Sequence, residues 1–431
     1  MTIAKEELNK RLALVFYFLS ILPFLYLLIF DTSITSFWYR LANLTGYIGG
    51  VALIWQFIFG NRGISKYVTS DYDWSLRVHI FLGINGALFV LLHPILEAMV
   101  YLKDISFIFV PDYSSEFSTG ITIGRFAFIL FLLVWFSSSV LRNSLKYRAW
   151  LYIHYLSYPM LLMVLLHPRS VGSLLRTYDW LNFYWLFLSI LSLVFFIVKI
   201  KDTFNIGSAK FILKGTSEFP GNNFIYTFSP TEYKLIPKIG QYLYIKKDFF
   251  GEAHPFTIFK FDEATGDISF GIKMLGKYTQ DLAKLNIGDS VFVDGPHGEF
   301  TFEGQNSEPK VIIAGDIGIT PFYELVRKFG NEKTYLFYAN QLLDYALSRD
   351  EFKKLLGARY FDCISDEKIS EPNVTCDFLV ADGIKKHLPA EIITSARFFI
   401  CGSPGFMRSE ISNLESIGVK KSQIYIEEFG Y

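Results

Sequence analysis

The chain is predicted to fold as a membrane α-helical bundle of six transmembrane helices, followed by a cytosolic antiparallel β-barrel and an α/β nucleotide-binding domain. Three observations predict this. Hydrophobic residues make up 51% of the 431 and aromatics 18%, too apolar a composition for an ordinary soluble protein. Charges are sparse from Leu12 to Val198 and dense from Lys199 onward. From Ala209 the long apolar runs give way to short alternating runs separated by turn residues.

A helix needs about 20 apolar residues to cross the hydrocarbon. Six stretches qualify: Leu12–Phe30, Leu41–Phe59, Leu76–Tyr101, Ile121–Leu141, Ala149–Leu166 and Trp180–Val198. Charges precede the first (Lys5, Glu6, Glu7, Lys10, Arg11) and no small-residue cleavage site follows it, which favours a retained helix over a signal peptide. Lys5, Lys10, Arg11, Arg62, Lys66, Arg77, Arg142, Lys146, Arg148, Lys199 and Lys201 collect on one side. Arg40, Lys103, Arg125, Arg169 and Arg176 collect on the other. The lysine- and arginine-rich side is expected to be the cytosol, which places both termini and the charged half there. The expected boundaries are 1–203 for the membrane domain, 204–305 for the barrel and 306–431 for the α/β domain.

A formal net charge of zero offers no footprint for nucleic acid. The cysteines Cys363, Cys376 and Cys401 form no CxxC pattern, and no CxxCH is present to attach a haem covalently.

Four of the seven histidines fall on two predicted spans: His79 and His93 on the third, His154 and His167 on the fifth. Polar groups at membrane depth are read as functional by default. Hydrogen bonding to a neighbouring helix is the plain alternative for any one of them. Two matched pairs point instead to axial ligation of two stacked haem irons, His79 with His154 and His93 with His167. His79 and His93 are 14 residues apart, so they share a helix face to within about 40° and lie about 21 Å apart along the axis. The 13-residue spacing of His154 and His167 leaves them about 140° apart on an ideal helix. Pro159 lies between them and is expected to bend or unwind that span. A zinc or di-iron cluster is the rival reading, and it needs ligands close together, often with carboxylates. Glu97 is the one acid near a histidine on these spans.

In the soluble half, runs at Lys210–Leu213, Phe224–Phe228, Gln241–Ile245, Ile268–Ile272 and Ser290–Val293 read as strands of a small antiparallel barrel. Strands at Val311–Ala314, Thr334–Tyr338 and Phe398–Cys401, with a helix at Phe322–Phe329, read as an open parallel α/β sheet. The turn Gly315–Pro321 lets backbone approach a phosphate, and a helix start just after it offers N–H groups to a pyrophosphate. Such a turn also serves as a plain strand-to-helix connection.

Several stretches together resemble the ferredoxin–NADP reductase superfamily, in the branch fused to a ferric-reductase-like membrane domain that includes prokaryotic NADPH oxidases. His254-Pro255-Phe256-Thr257-Ile258 is similar to the flavin stretch HPF[ST]. Lys273–Thr279 is similar to K..G.[WY]T, and Asp294–Phe300 to DGPYG.F with His297 in the tyrosine position. Gly315–Phe322 resembles GGIGITPF with Asp316 where a small residue is usual, and Cys401–Met407 resembles CGP..M. The histidine spacing resembles the family's bis-histidine haem helices.

The resemblance implies FAD, two b-type haems and NADPH or NADH as cofactors. Pro255, Phe256 and Thr257 would line the isoalloxazine, with His254 at the FAD phosphates or ribityl chain. Lys273, Gly276, Tyr278 and Thr279 would serve the FAD pyrophosphate. Gly315, Gly318, Thr320 and Pro321 would border the nicotinamide nucleotide, with Cys401 and Gly402 near its ring. Phe429 would shield the flavin. Asp316 adds a negative charge near a pyrophosphate. Ala339-Asn340-Gln341 stands where NADPH-selective relatives carry an arginine, for which Arg349 is the candidate substitute. Arg40 has two readings: it attracts oxygen or superoxide at the outer haem, or it pairs with a propionate.

The implied activity is transmembrane electron transfer from cytosolic NAD(P)H to oxygen, giving superoxide. A ferric chelate is the second acceptor, and supply of electrons to a partner redox protein the third reading. A compact form without long insertions fits a bacterial cell membrane.

Overall fold

The computed structural model describes residues 3–31, 36–64, 69, 71–101, 103–206, 208–248, 251–375 and 379–427. Lys66, Cys376 and Phe429 lie outside the described residues. The chain divides into two compact units, Met1–Lys201 and Asp202–Tyr431.

In the first unit the apolar stretches form helices α1 (Ile3–Phe30), α2 (Phe37–Gly60), α3 (Tyr72–Val100), α4 (Glu116–Ser139), α5 (Tyr147–Tyr155), α6 (Ser157–Val171) and α7 (Asp179–Thr203). Among the described residues six spans are long and apolar enough to cross a membrane, α5 and α6 together making the fifth. Hydrocarbon offers no water to orphan backbone groups, and polar residues close several helix starts. Ser36 accepts from the Tyr39 N–H, Asp71 from Trp74 and Ser115 from Ser118. The interior centres on Trp185, which is fully buried against Phe24 and Tyr47 and donates its indole N–H to the Leu165 carbonyl at 2.9 Å. Large apolar side chains such as Phe18, Phe81 and Phe183 point outward, as a lipid-facing surface requires.

The fifth span is broken at Leu156, two residues after His154, rather than at Pro159 itself. Proline lacks the N–H that would bond the Tyr155 carbonyl four residues back. The chain tightens there instead, and the Leu156 N–H bonds the Ile153 carbonyl at 3.0 Å. Such a three-residue turn advances about 120° per residue, against about 100° in an α-helix. An ideal helix would leave His154 and His167 on different sides, and this break in the helix lies between them.

The second unit opens with a closed barrel of order β1-β2-β5-β4-β3-β6. Its strands are Ala209–Phe219, Asn223–Pro230, Tyr242–Lys246, Ala253–Phe261, Ile268–Lys273 and Ser290–His297, all antiparallel. The sequence reading missed β4, because its run Ala253–Phe261 carries a histidine and a proline just after its first residue and does not alternate cleanly. A six-stranded parallel sheet follows, of order β10-β9-β8-β7-β11-β12. It contains β7 (Lys310–Gly315), β8 (Thr334–Asn340), β9 (Tyr360–Ile364), β10 (Val374–Thr375), β11 (Arg397–Cys401) and β12 (Ile424–Ile426). After a leading Lys310 or Arg397 its central strands β7 and β11 are apolar and buried on both faces, as parallel sheets covered by helices are. The direction of winding reverses between β7 and β11. In open α/β sheets ligands bind at such a switch point, beyond the carboxyl ends of the strands.

Candidate functional site

The four membrane histidines come together as two pairs. His79 on α3 faces His154 in the last turn of α5, with ring centroids 6.2 Å apart. His93 on α3 faces His167 on α6 at 6.4 Å. Two metal–nitrogen bonds of about 2.0–2.1 Å each, added to the two ring radii, span such a gap. Among the described residues no group of three or more His, Cys, Asp or Glu side chains is placed to hold a metal ion. Each pair therefore offers two opposed imidazoles and no protein-only coordination shell.

The rings are oriented from behind. Nδ1 lies 2.8 Å from the Gln56 carbonyl in His79, 3.0 Å from Ala42 in His93 and 3.0 Å from Gly120 in His167. In His154 it lies 3.2 Å from the Ser138 hydroxyl. This anchors one ring nitrogen and leaves Nε2 for a ligand, the arrangement expected of metal-binding histidines. Three glycines make the approach possible. A Cβ at Gly60 would fall 2.7 Å from His79, one at Gly46 2.7 Å from His93, and one at Gly124 2.6 Å from His167. Sequence reasoning missed these glycines, although Gly46 and Gly60 repeat the 14-residue spacing of His79 and His93. It also passed over the shared dipeptide in the second pair, His93-Pro94 and His167-Pro168.

Arg40 is committed to the end of α1. Its guanidinium donates to the carbonyls of Leu28 at 2.5 Å and Asp31 at 2.8 Å. Arginine suits such a terminus, where carbonyls lack helical partners and the dipole is negative. Arg125 is likewise engaged, donating to the Phe107 carbonyl at 2.6 Å.

In the soluble unit, His254, Pro255, Phe256 and Thr257 lie on β4. The His254 ring stacks on Tyr278 at 3.8 Å, and Phe256 stands at 6.0 Å from the same ring. Tyr278 is fixed by donating to the Ile245 carbonyl at 2.5 Å. Burial lowers the His254 pKa, while the Glu252 carboxylate, 3.6 Å away, acts in the opposite direction. Gly276 and Thr279 close a local turn, with the Gly276 N–H donating to the threonine hydroxyl at 3.1 Å.

A second group gathers at the switch point. Cys401 on β11 is in register with Ala314 on β7, so Gly315 and Gly402 follow at the ends of adjacent strands. A Cβ on Gly318 would fall 2.3 Å from the Cys401 carbonyl oxygen, so glycine is the residue that lets this turn sit against β11. A Cβ on Gly271 of β5 would fall 2.8 Å from Thr320, which brings the barrel against the same turn. Cys401 is a protonated thiol, because burial, and secondarily Glu427, push its pKa up. The expected helix start is displaced. Asp316–Phe322, with Thr320 and Pro321, forms a 3₁₀ segment, and the short helix begins at Tyr323.

Two residues of uncertain effect in the sequence have clear partners. Asp316 adopts a positive φ of 52° and pairs with Lys273 of β5, so its charge is balanced locally and Lys273 is engaged there. Arg349 is held by Asp362 and Glu371, each at 2.8 Å.

Residues 45–165 match the ferric reductase like transmembrane component family, and residues 217–302 match the oxidoreductase FAD-binding domain family. The chain joins a ferric-reductase-like transmembrane component to an oxidoreductase FAD-binding domain. It is a multi-pass membrane oxidoreductase with an FAD-binding module. NADH-cytochrome b5 reductase 1 of Aspergillus terreus is 28% identical over 236 residues, covering 49% of this chain and 79% of the relative. NADH-cytochrome b5 reductase 2 of Homo sapiens is 29% identical over 176 residues, covering 35% and 63%. Among solved structures, flavohemoglobin from Malassezia yamatoensis with bound FAD and heme aligns at 22% identity and a TM-score of 0.47, over 74% of this chain and 89% of that one. The flavohem-like FAD/NAD binding domain of nitric oxide dioxygenase from Vibrio cholerae aligns at 19% identity and 0.43, over 51% and 98%.

Proposed function

We propose that the protein moves electrons from cytosolic NAD(P)H, through FAD and two bis-histidine b-type haems, to an acceptor outside the cytoplasm. Oxygen, giving superoxide, is the first choice of acceptor. A ferric chelate is the alternative, and a partner redox protein the third. The single observation that carries the reading is the pair of opposed imidazole couples, each backed by second-layer acceptors. With two protein ligands per site, a porphyrin is the group that completes the coordination.

When bound, FAD would supply hydride acceptance and one-electron release, and the haems one-electron transfer. The chain's own residues position the groups. His79 and His154 would hold one iron, His93 and His167 the other. Pro255, Phe256, Thr257 and Tyr278 would face the flavin, with Phe429 over it. Gly315, Gly318, Thr320, Pro321, Cys401 and Gly402 would border the nicotinamide nucleotide. As a neutral thiol, Cys401 adds no charge beside a nicotinamide ring. Arg349, tied to two carboxylates, is poorly placed to take a 2′-phosphate, so NADH is the donor we favour. The assigned domains are 1–203, 204–305 and 306–431, with the soluble parts cytoplasmic. Outward electron transfer would then gain about 2.3 kcal/mol per charge per 100 mV of inside-negative potential.

The test uses purified full-length protein loaded with haem and FAD. Addition of NADH is expected to produce a reduced b-type spectrum under argon and, in air, cytochrome c reduction that superoxide dismutase abolishes. Reduction that the dismutase leaves untouched refutes oxygen as acceptor. A protein that binds FAD but shows no b-type spectrum refutes the haem reading.

A further inference from the structure

Three of the four membrane histidines are anchored by one repeated device, and the fourth departs from it. In the helix facing each ring, a backbone carbonyl takes Nδ1 and the residue four positions later is glycine: Ala42 with Gly46, Gln56 with Gly60, Gly120 with Gly124. The spacing has a cause. A helical carbonyl points toward the residue four positions on, whose Cβ would otherwise block the ring's access. Gly46 and Gly60 on α2 are 14 residues apart, and on α4 the position 14 after Gly124 is Ser138. The carbonyl matching the other three is that of Val134, and it takes the Ser137 hydroxyl at 2.9 Å. His154 turns to the Ser138 hydroxyl instead, at 3.2 Å. That oxygen also accepts the Trp150 indole N–H at 3.1 Å. Trp150 stacks on the His154 ring at 5.0 Å, and the Arg142 guanidinium lies 4.5 Å over the indole.

We propose that Ser138, with Trp150, is a positioning pair that sets the redox potential of the His79–His154 site apart from that of the His93–His167 site. This rests on the bis-histidine haem reading. If Nε2 of His154 binds iron, the neutral ring carries its proton on Nδ1 and donates it to Ser138. A strong acceptor at Nδ1 makes the ligand more basic and stabilises the oxidised iron. A backbone carbonyl at 2.8–3.0 Å is such an acceptor. The hydroxyl is weaker, and it is already shared with an indole N–H. The His154 side of the first site is therefore the least electron-donating of the four, and the oxygen of Ser138 and the nitrogen of Trp150 act on it in opposite senses.

Redox titration of the purified full-length holoprotein, followed at the haem α band and by low-temperature electron paramagnetic resonance, tests this. Ser138→Ala removes the acceptor and is expected to raise one of the two midpoints, leaving the other in place. Trp150→Phe keeps the stacked ring but releases the hydroxyl from its competing donor, and is expected to lower that same midpoint. Ser138→Thr keeps a hydroxyl and is expected to restore the parental value. An unchanged titration in Ser138→Ala, equal movement of both midpoints, or the same direction of shift in Ser138→Ala and Trp150→Phe overturns the proposal. Absence of two b-type components in the parental protein overturns the haem reading itself, a separate result visible before any variant is made.

Discussion

In the membrane unit the candidate site rests on four side chains, each held by one acceptor behind it and, in three cases, admitted by one glycine. In the soluble unit the candidate site is spread over β4, the turn after β5, the 3₁₀ segment after β7 and the end of β11, much of it backbone. Lipid explains the first pattern. Irregular backbone is costly there, so regular helices must project the chemistry, and imidazole is a side chain that ligates while neutral. Water and a parallel sheet allow the second. Strand ends can leave turns open to a dinucleotide, and many small contacts share the binding. The contrast predicts abrupt loss from substitutions in the membrane unit and graded loss in the soluble one.

Substitutions of four kinds bear on that contrast, beginning with the largest expected effect. Changing His79, His93, His154 or His167 singly to leucine is expected to remove one haem and leave FAD at parental stoichiometry. Pyridine haemochrome and flavin counts on the same sample measure this, and a parental haem count would break the contrast. Next, Gly124→Ala places a Cβ 2.6 Å from the His167 ring. Overpacking of this kind costs about 1–3 kcal/mol, and sub-stoichiometric haem with intact NADH-to-flavin reduction is the expected result. In the soluble unit, Gly318→Ala meets backbone, the Cys401 carbonyl, at 2.3 Å. A strain of about 1–3 kcal/mol corresponds to roughly 5- to 150-fold in the dissociation constant of the dinucleotide, and flavin quenching titrations would read it. FAD content should hold.

The smallest effect concerns pH and stability rather than ligands. Helix Pro404–Ser416 buries Glu410, and desolvation pushes its pKa from 4.5 to about 7. The folded protein keeps a proton there that the unfolded chain releases between those values. Stability from this group is present below pH 4.5 and is lost as pH rises toward 7, by up to about 3 kcal/mol. Glu410→Gln is expected to flatten that slope in thermal unfolding of the holoprotein followed by flavin fluorescence. A slope identical to the parental one would show that the carboxylate is relieved by some other group.

The two units also differ in how much of them the sequence discloses. Each of the six spans was legible, because hydrocarbon imposes a length and a composition that no single residue can disguise. The histidines stood out for the same reason. In the soluble unit, β1, β2, β3, β5, β6, β7, β8 and β11 were legible from alternation or buried apolar runs, whereas β4, β9, β10 and β12 were not. Strand β4 carries the His254–Thr257 stretch on a run that does not alternate, and β10 and β12 are only two and three residues long. The neutralisation of Asp316 by Lys273 and the capture of Arg349 by Asp362 and Glu371 were also invisible, since ion pairs join residues 43, 13 and 22 positions apart.

What the linear chain determined by itself is therefore the inventory: six apolar spans, four imidazoles on two of them, and glycine turns at strand ends. These follow from transfer free energies and backbone sterics, which act residue by residue. Tertiary structure decided the angles and the partners. A break at Leu156 falls between His154 and His167, glycines on α2 and α4 admitted the rings, and Arg40 went to the end of α1. Each of those outcomes depends on which helix lies alongside, and packing is a property of neighbours in space that no local pattern contains.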